Sequence, residues 1–332
     1  MIYHNLKIRK HKIYILVLEY FDKKKIYAAL PYPELVDKLE VSFCNKYEVP
    51  PRLHYDYKSG QGEESSTLLL MPAWKNEKYV GLKIITVSPY NSANELATIQ
   101  GIYVLMDAKD GQIIAQFDAK SLTNIRTAAS SALASKFLSK TEAESMLMIG
   151  TGALAPELIK AHCTVRPIRR VWVWGRNFDK AKEVAKSLSI DNVDIVPIEN
   201  IEDKISNVEI ISTATSSPEP LVFGDKLIPG QHLDLVGAFK PTWREADDQA
   251  IINSSVFVDT REGTLKESGE LLIPMEKGLF APDHIKADLF ELCKDEKQGR
   301  RSYEEITSFI SVGYALEDLT AAELIWEKHL DE

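Results

Sequence analysis

In the run Ser145-Met-Leu-Met-Ile-Gly150-Thr-Gly152-Ala-Leu-Ala155, an apolar stretch leads into a G-x-G-x-x-A turn and then into a helical pattern. Each small residue has a physical task in that order. Gly150 allows the tight turn at a strand end, Gly152 lets the backbone approach a pyrophosphate, and Ala155 permits close packing of helix on strand. Thr151, Ala153 and Leu154 complete a turn whose free N–H groups, at the helix start, face phosphate oxygens. Pro156 suits a first helical turn, where its missing N–H has no intrahelical partner. The expectation is a dinucleotide site on a βαβ unit.

Downstream, the apolar runs Met146–Ile149, Val171–Trp174, Ile210–Thr213 and Leu233–Val236 alternate with helical stretches, the pattern of a parallel sheet. The second of them ends in Gly175-Arg176-Asn177. A carboxylate at that strand end would bond the ribose hydroxyls of NAD, whereas an arginine accepts a 2′-phosphate, so Arg176 favours NADPH with NADH still possible. Upstream the pattern differs. Ile13–Leu18, Thr67–Met71, Val80–Val87, Gly101–Met106 and Gln112–Phe117 read as strands of an antiparallel sheet, with Asp110-Gly111 as a hairpin turn. Leu35, Val36, Leu39 and Phe43 mark one buried face of a helix over 32–47. An Ala-rich helix runs from Ser121 to Leu138, and a terminal helix over 312–329 is expected to return to the first domain.

Bulk properties narrow the partners. A chain of 332 residues with 45% hydrophobic and 27% charged residues has room for two globular domains. Its net charge of -9 speaks against nucleic acid or an anionic membrane, since either needs a clustered positive surface. Cys44, Cys163 and Cys293 lie far apart, without disulfide or zinc-ligand spacing, and fit reduced thiols in the cytoplasm. Lys7, Arg9, Lys10 and Lys12 precede an apolar run too short for a signal peptide, and no stretch reaches the length of a membrane span.

Five further stretches, Met71-Pro-Ala-Trp74, Gly81-Leu-Lys83, Leu122-Thr-Asn-Ile-Arg126-Thr-Ala-Ala129, Val236-Gly-Ala-Phe-Lys-Pro241-Thr-Trp-Arg-Glu245 and Leu265-Lys-Glu-Ser-Gly269, join the glycine turn in a fixed order. From about residue 28 onward the chain resembles the ornithine cyclodeaminase and mu-crystallin family. The resemblance implies an α/β protein: a Rossmann domain over 127–307, inserted into an α+β substrate-binding and homodimerisation domain over 1–126 plus 308–332. It also implies a cleft between the two. There three cations, matching Arg52, Lys83 and Arg126, would hold a substrate carboxylate, and Thr213, Thr215, Val236 and Gly237 would join Asn177 in cofactor binding. A guanidinium suits a carboxylate through two parallel N–H bonds, and a lysine supplies a compact charge. Alanine at any of the three is expected to depress kcat/KM without unfolding the protein. His54, two residues from Arg52, is a secondary candidate.

Family members that cyclise ornithine carry an aspartate where this chain has Phe239, while Glu245 and Asp247 are expected on the helix that follows. Without that acid the resemblance points to the imine-reductase branch: NAD(P)H-dependent reduction of a small cyclic imino acid. Ornithine cyclodeaminase, alanine dehydrogenase and a non-catalytic, crystallin-like NADPH binder are the alternatives. One departure is Ile310, where the family has a lysine.

Overall fold

A computed structural model describes residues 18–58, 65–94, 96–238 and 240–331. The basic N-terminal residues, all but the last of the expected strand over 13–18, and Phe239 lie outside the described residues. Two sheets organise the chain. The first is six-stranded and contains β1 (Glu19–Phe21), β2 (Leu53–Tyr57), β3 (Ser66–Lys75), β4 (Tyr79–Val87), β5 (Ile99–Asp107) and β6 (Ile113–Asp118), in the spatial order β1-β6-β5-β4-β3-β2. It is antiparallel except where β1 runs parallel to β6. The β5–β6 connection turns at Gly111, whose φ of 75° suits glycine.

Helices α1 (Lys23–Ala29), α2 (Tyr32–Cys44) and α3 (Ala119–Leu138) accompany this sheet. Asp22 caps α1 by accepting from the Lys25 N–H, and Asp118 caps α3 by accepting from that of Ser121. Leu35, Val36, Leu39 and Phe43 of α2 are buried, as their spacing predicts. Met71, Ala73, Tyr103, Leu105 and Phe117 share one core with them.

The second sheet is eight-stranded and wholly parallel. Its members are β7 (Ser145–Ile149), β8 (Arg170–Trp174), β9 (Asp194–Ile198), β10 (Ile210–Thr213), β11 (His232–Leu235), β12 (Ser255–Val258), β13 (Ile285–Asp288) and β14 (Thr307–Ile310). Their order is β13-β12-β14-β11-β10-β7-β8-β9. The chain passes from β7 outward to β8 and β9, then crosses back to β10 on the other side of β7, and that reversal opens the ligand crevice of such sheets at the strands' carboxyl ends. Between strands lie α4 (Ala155–Val165), α5 (Phe178–Ser187), α6 (Asp248–Ile252), α7 (Arg261–Glu267), α8 (Gly269–Glu276) and α9 (Leu289–Cys293). β14 carries this sheet to residue 310, and Ile310 packs in its apolar core.

The terminal helix α10 (Ala315–Asp331) starts later than its periodicity suggests. Gly313 has a φ of 83°, and the Asp259 carboxylate accepts from the Val312 and Gly313 N–H groups at 2.8 and 2.7 Å, which holds this crossing outside the helix. α10 then packs on α2, α3, β3 and β4. Among the described residues no helix is long and apolar enough to cross a membrane.

Candidate active site

Arg52, Lys83 and Arg126 come together. Arg52 stands directly before β2, Lys83 lies mid-strand on β4 and Arg126 two turns into α3. Lys83 and Arg126 are buried, and both already face carboxylates. Lys83 Nζ donates to Asp318 Oδ2 at 2.6 Å, Arg126 Nε to Asp318 Oδ1 at 3.1 Å, and Arg126 Nη1 to Glu317 Oε2 at 2.5 Å. Glu317 also accepts from the Ser130 hydroxyl at 3.0 Å. Arg52 pairs with Glu267 through Nε at 3.1 Å and donates through Nη2 to the carbonyls of Val312 and Gly313. His54 stands 3.8 Å from the same Glu267.

Burial sets the protonation of this cluster. It lowers the Lys83 amine to about 8, against the pull of Asp318 and with the push of Arg126. It likewise lifts the Glu317 carboxyl to about 7, a rise that Arg126 opposes and that Asp259 and Asp318 reinforce. For Arg126 burial works downward, but Asp318 and Glu317 outweigh it and hold the guanidinium above its ordinary value. Beside the cluster lies a cavity of about 230 Å³, walled by Arg52, His54 and Met71 on one side and by Thr260, Glu267 and Gly313 on the other. Lys83 and Arg126 are set behind that wall, and a side chain at Gly313 would meet the Arg126 guanidinium at 2.8 Å. Arg52 Nη1, Arg126 Nη2 and two Lys83 N–H bonds keep no partner among the described residues. These are the donors left for an anion.

At the carboxyl end of the parallel sheet, Gly150 takes a φ of 131°, and a Cβ there would lie 2.6 Å from the Ala214 carbonyl oxygen. Gly152 differs: nothing lies within 4 Å of its would-be Cβ. That open space, beside the exposed Ala153 and ahead of Leu154 at the N-terminus of α4, fits a dinucleotide's pyrophosphate. Thr151 is turned against Gly175, whose Cβ would meet its Cγ2 at 2.5 Å. Arg176 is exposed and without a partner among the described residues. The Asn177 side chain serves as the N-cap of α5, accepting from the Asp179 and Lys180 N–H groups at 2.9 and 3.3 Å.

Sequence reading missed the carboxylate beneath the neighbouring loops. Glu245 is not on a helix; α6 begins at Asp248, and Asp247 is its cap. Fully buried, Glu245 accepts from the Thr213 hydroxyl at 2.7 Å, the Thr215 N–H and hydroxyl at 2.6 and 2.7 Å, and the Gly237 N–H at 2.7 Å. It ties the end of β10 to the loop after β11, where Val236 is nearly buried. Burial raises its carboxyl, and lifts to about 8 that of Glu270, which accepts from the Glu245 and Ala246 N–H groups. Glu317, Asp318, Asp259 and Glu267 were missed as well. A signal existed for the first pair: two adjacent acids interrupt the apolar periodicity of Leu316 and Leu319.

The description of the ornithine cyclodeaminase/mu-crystallin family matches residues 25–332. The chain is 40% identical to Protein SAR DEFICIENT 4 of Arabidopsis thaliana over 289 residues, covering 85% of this chain and 87% of that protein. It is 36% identical to the Δ1-pyrroline-2-carboxylate reductase of Colwellia psychrerythraea over 311 residues, covering 93% and 98%. Among solved structures, the Thermococcus litoralis Δ1-pyrroline-2-carboxylate reductase in complex with NADH and L-proline superposes with a TM-score of 0.88 at 29% identity, covering 95% of this chain and 98% of that one.

Proposed function

This chain belongs to the ornithine cyclodeaminase/mu-crystallin family, and we propose from there that it is an NAD(P)H-dependent reductase of cyclic imino acids, taking Δ1-pyrroline-2-carboxylate to L-proline and Δ1-piperideine-2-carboxylate to L-pipecolate. One observation carries the reading: three cations from separate elements converge beside a cavity of a small ring's size and keep N–H bonds to spare. A bound nicotinamide dinucleotide supplies the hydride. The protein's part is placement. Lys83, Arg126 and Arg52 hold the carboxylate, so that the adjoining C=N carbon is fixed in one orientation. Gly150 and Gly152 shape the phosphate turn, with Thr151, Ala153 and Leu154 in it. Glu245 fixes the Thr213, Thr215 and Gly237 segment against which the cofactor would rest, and Asn177 orders the helix after Arg176.

The decisive assay follows NAD(P)H oxidation with each cyclic imine and with pyruvate plus ammonia, and ammonia release from L-ornithine. Imine reduction is expected, and ornithine turnover at background. Phenylalanine at 239 cannot exchange a proton, and general acid–base catalysis is worth roughly 10²–10⁴-fold. Glu245 does not replace it, because its oxygens are buried and engaged. Ammonia release rivalling imine reduction would overturn this reading.

NADPH is the proposed cofactor. The free Arg176 guanidinium suits a 2′-phosphate, so Arg176→Ala should weaken NADPH by about tenfold, one charge-assisted bond, and leave NADH nearly unchanged. Equal loss for both, measured by fluorescence titration, would assign Arg176 to a shared part of the nucleotide. A homodimer is proposed too. On the first sheet the face turned away from α2, α3 and α10 carries a row Leu53, Leu70, Ile84 and Ile102 across β2 to β5, none of them buried. A partner copy would cover it. Three free thiols suit a cytoplasmic location.

A further inference from the structure

The three cations of the site are outnumbered. Arg52, Lys83 and Arg126 stand against Glu267, Asp318, Glu317 and Asp259. Lys83, Asp318, Arg126 and Glu317 form one bonded group, Glu267 with Arg52 and Asp259 are bonded around Val312 and Gly313, and the two groups meet where Gly313 lies against the Arg126 guanidinium. The exposed Glu262–Lys266 pair at the cavity mouth cancels itself. With every group ionised, the site is one negative charge in excess before any ligand enters. A carboxylate would add a second, in surroundings where water does not screen it.

We propose that a substrate carboxylate displaces Glu317 from Arg126, and that Glu317 takes up one proton from solvent as this happens, so that anion binding in this site is proton-coupled. The inference rests on the carboxylate-site reading above. Glu317 is the acid placed to yield. Asp318 bridges two cations and Asp259 accepts from two backbone N–H groups, whereas Glu317 has one cation and one hydroxyl, and the hydroxyl of Ser130 can bond a neutral carboxyl too. Its surroundings reinforce this. Arg126 and Ser130 face it from α3, Asp318 lies beside it on α10, Asp259 approaches from the end of β12, Tyr314 precedes it, and Lys83 of β4 reaches it only through Asp318. Only Arg126 and the Ser130 hydroxyl favour the charged form, against two carboxylates and full burial. The balance is simple: an ionised carboxyl gains a proton, and the guanidinium exchanges one carboxylate for another.

The test is calorimetric. Pyrrole-2-carboxylate, a planar five-membered-ring anion, is titrated into the protein saturated with NADP⁺, in phosphate and in Tris. The difference in observed heat between the two buffers counts protons. Wild type should take up close to one proton at pH 8, above the Glu317 value of about 7, and progressively less toward pH 6. Affinity should fall by up to about tenfold per pH unit over the alkaline side, as linkage requires of a ligand that binds with a proton. Glu317→Gln should bind the anion with no uptake and with a flat pH profile. Uptake near zero in wild type at pH 8 would overturn the proposal without any variant. Uptake surviving in Glu317→Gln would also overturn it, and would assign the proton to another group of the site. Absence of binding altogether would remove the carboxylate site itself, a different failure.

Discussion

Arg126→Ala should cost the folded protein about 3–5 kcal/mol, the penalty for removing one partner from a buried ion pair. The guanidinium is 4% exposed and serves Glu317 and Asp318 together, both fully buried. Without it, Asp318 keeps Lys83 and Glu317 keeps only the Ser130 hydroxyl. In thermal unfolding the loss corresponds to a fall of roughly 4–7 °C for a chain of 332 residues. This departs from the expectation that alanine at any of the three cations leaves folding intact, and the reason is the carboxylates that sequence reading did not see. Arg52→Ala is the contrast. Its side chain is 17% exposed and its acid, Glu267, is 19% exposed. It should melt near wild type while losing roughly ten- to hundredfold in kcat/KM, the worth of one charge-assisted hydrogen bond. A double variant, Arg126→Met with Glu317→Gln, should regain part of the stability but none of the activity, because it removes the stranded charge and the donor together. An Arg126→Ala protein that melts within about 2 °C of wild type would show that the cluster is not the buried network described.

Gly152→Val should nearly abolish dinucleotide binding in a protein that folds normally. Its backbone lies outside the left-handed region, and nothing stands within 4 Å of the added Cβ, so the folded chain has room for the side chain. That room is the place proposed for the pyrophosphate. Losing even one or two phosphate bonds at the start of α4 weakens binding by roughly ten- to ten-thousandfold, at about 1.5–3 kcal/mol each. Gly150→Ala should behave the other way. At a φ of 131° and 2.6 Å from the Ala214 carbonyl oxygen, a Cβ forces the end of β7 away from the end of β10 and costs about 1–3 kcal/mol of stability. Cofactor fluorescence titration and a melting curve on each variant separate the two. Gly152→Val with wild-type affinity for NADPH would place the dinucleotide elsewhere.

The glycine turn and its flanking strands were legible because the relevant forces are local. An apolar run, a glycine at positive φ and a helix start lie within eleven consecutive positions, and β7 and β10 occupy nearly the residues their patterns predict. Amphipathic α2 was legible for the same reason. Strands β9, β12, β13 and β14 were not: β9 contains Pro197, β13 alternates over only four positions, and β12 and β14 open on Ser or Thr with too short an apolar run to stand out from the loops around them. Parallel pairing of β1 with β6 spans 96 positions of chain. The partners of the cations were hidden in the same way: Lys83 and Asp318 are 235 positions apart, Arg126 and Glu317 are 191 apart. Nothing in a single sequence links such positions, although adjacent acids inside an apolar helical face mark a place where charge must be answered from elsewhere. Glu245 was misplaced because Trp243-Arg-Glu245 reads as a helix start, while its carboxylate is drawn inward by four donors.

α3 is anchored at both ends. Near its start Arg126 is tied to α10, and at its far end the Leu138 carbonyl accepts from Arg300 Nε and the Thr307 hydroxyl, while the Arg166 guanidinium donates to the carbonyls of Ser135, Lys136 and Ser139. A helix of that length is a rod of about 30 Å, with fifteen of its twenty residues buried. It acts as a strut along one wall of the cleft and resists both compression and bending. The sideways play left to the Arg126 guanidinium is then limited by arginines clamped about three turns away.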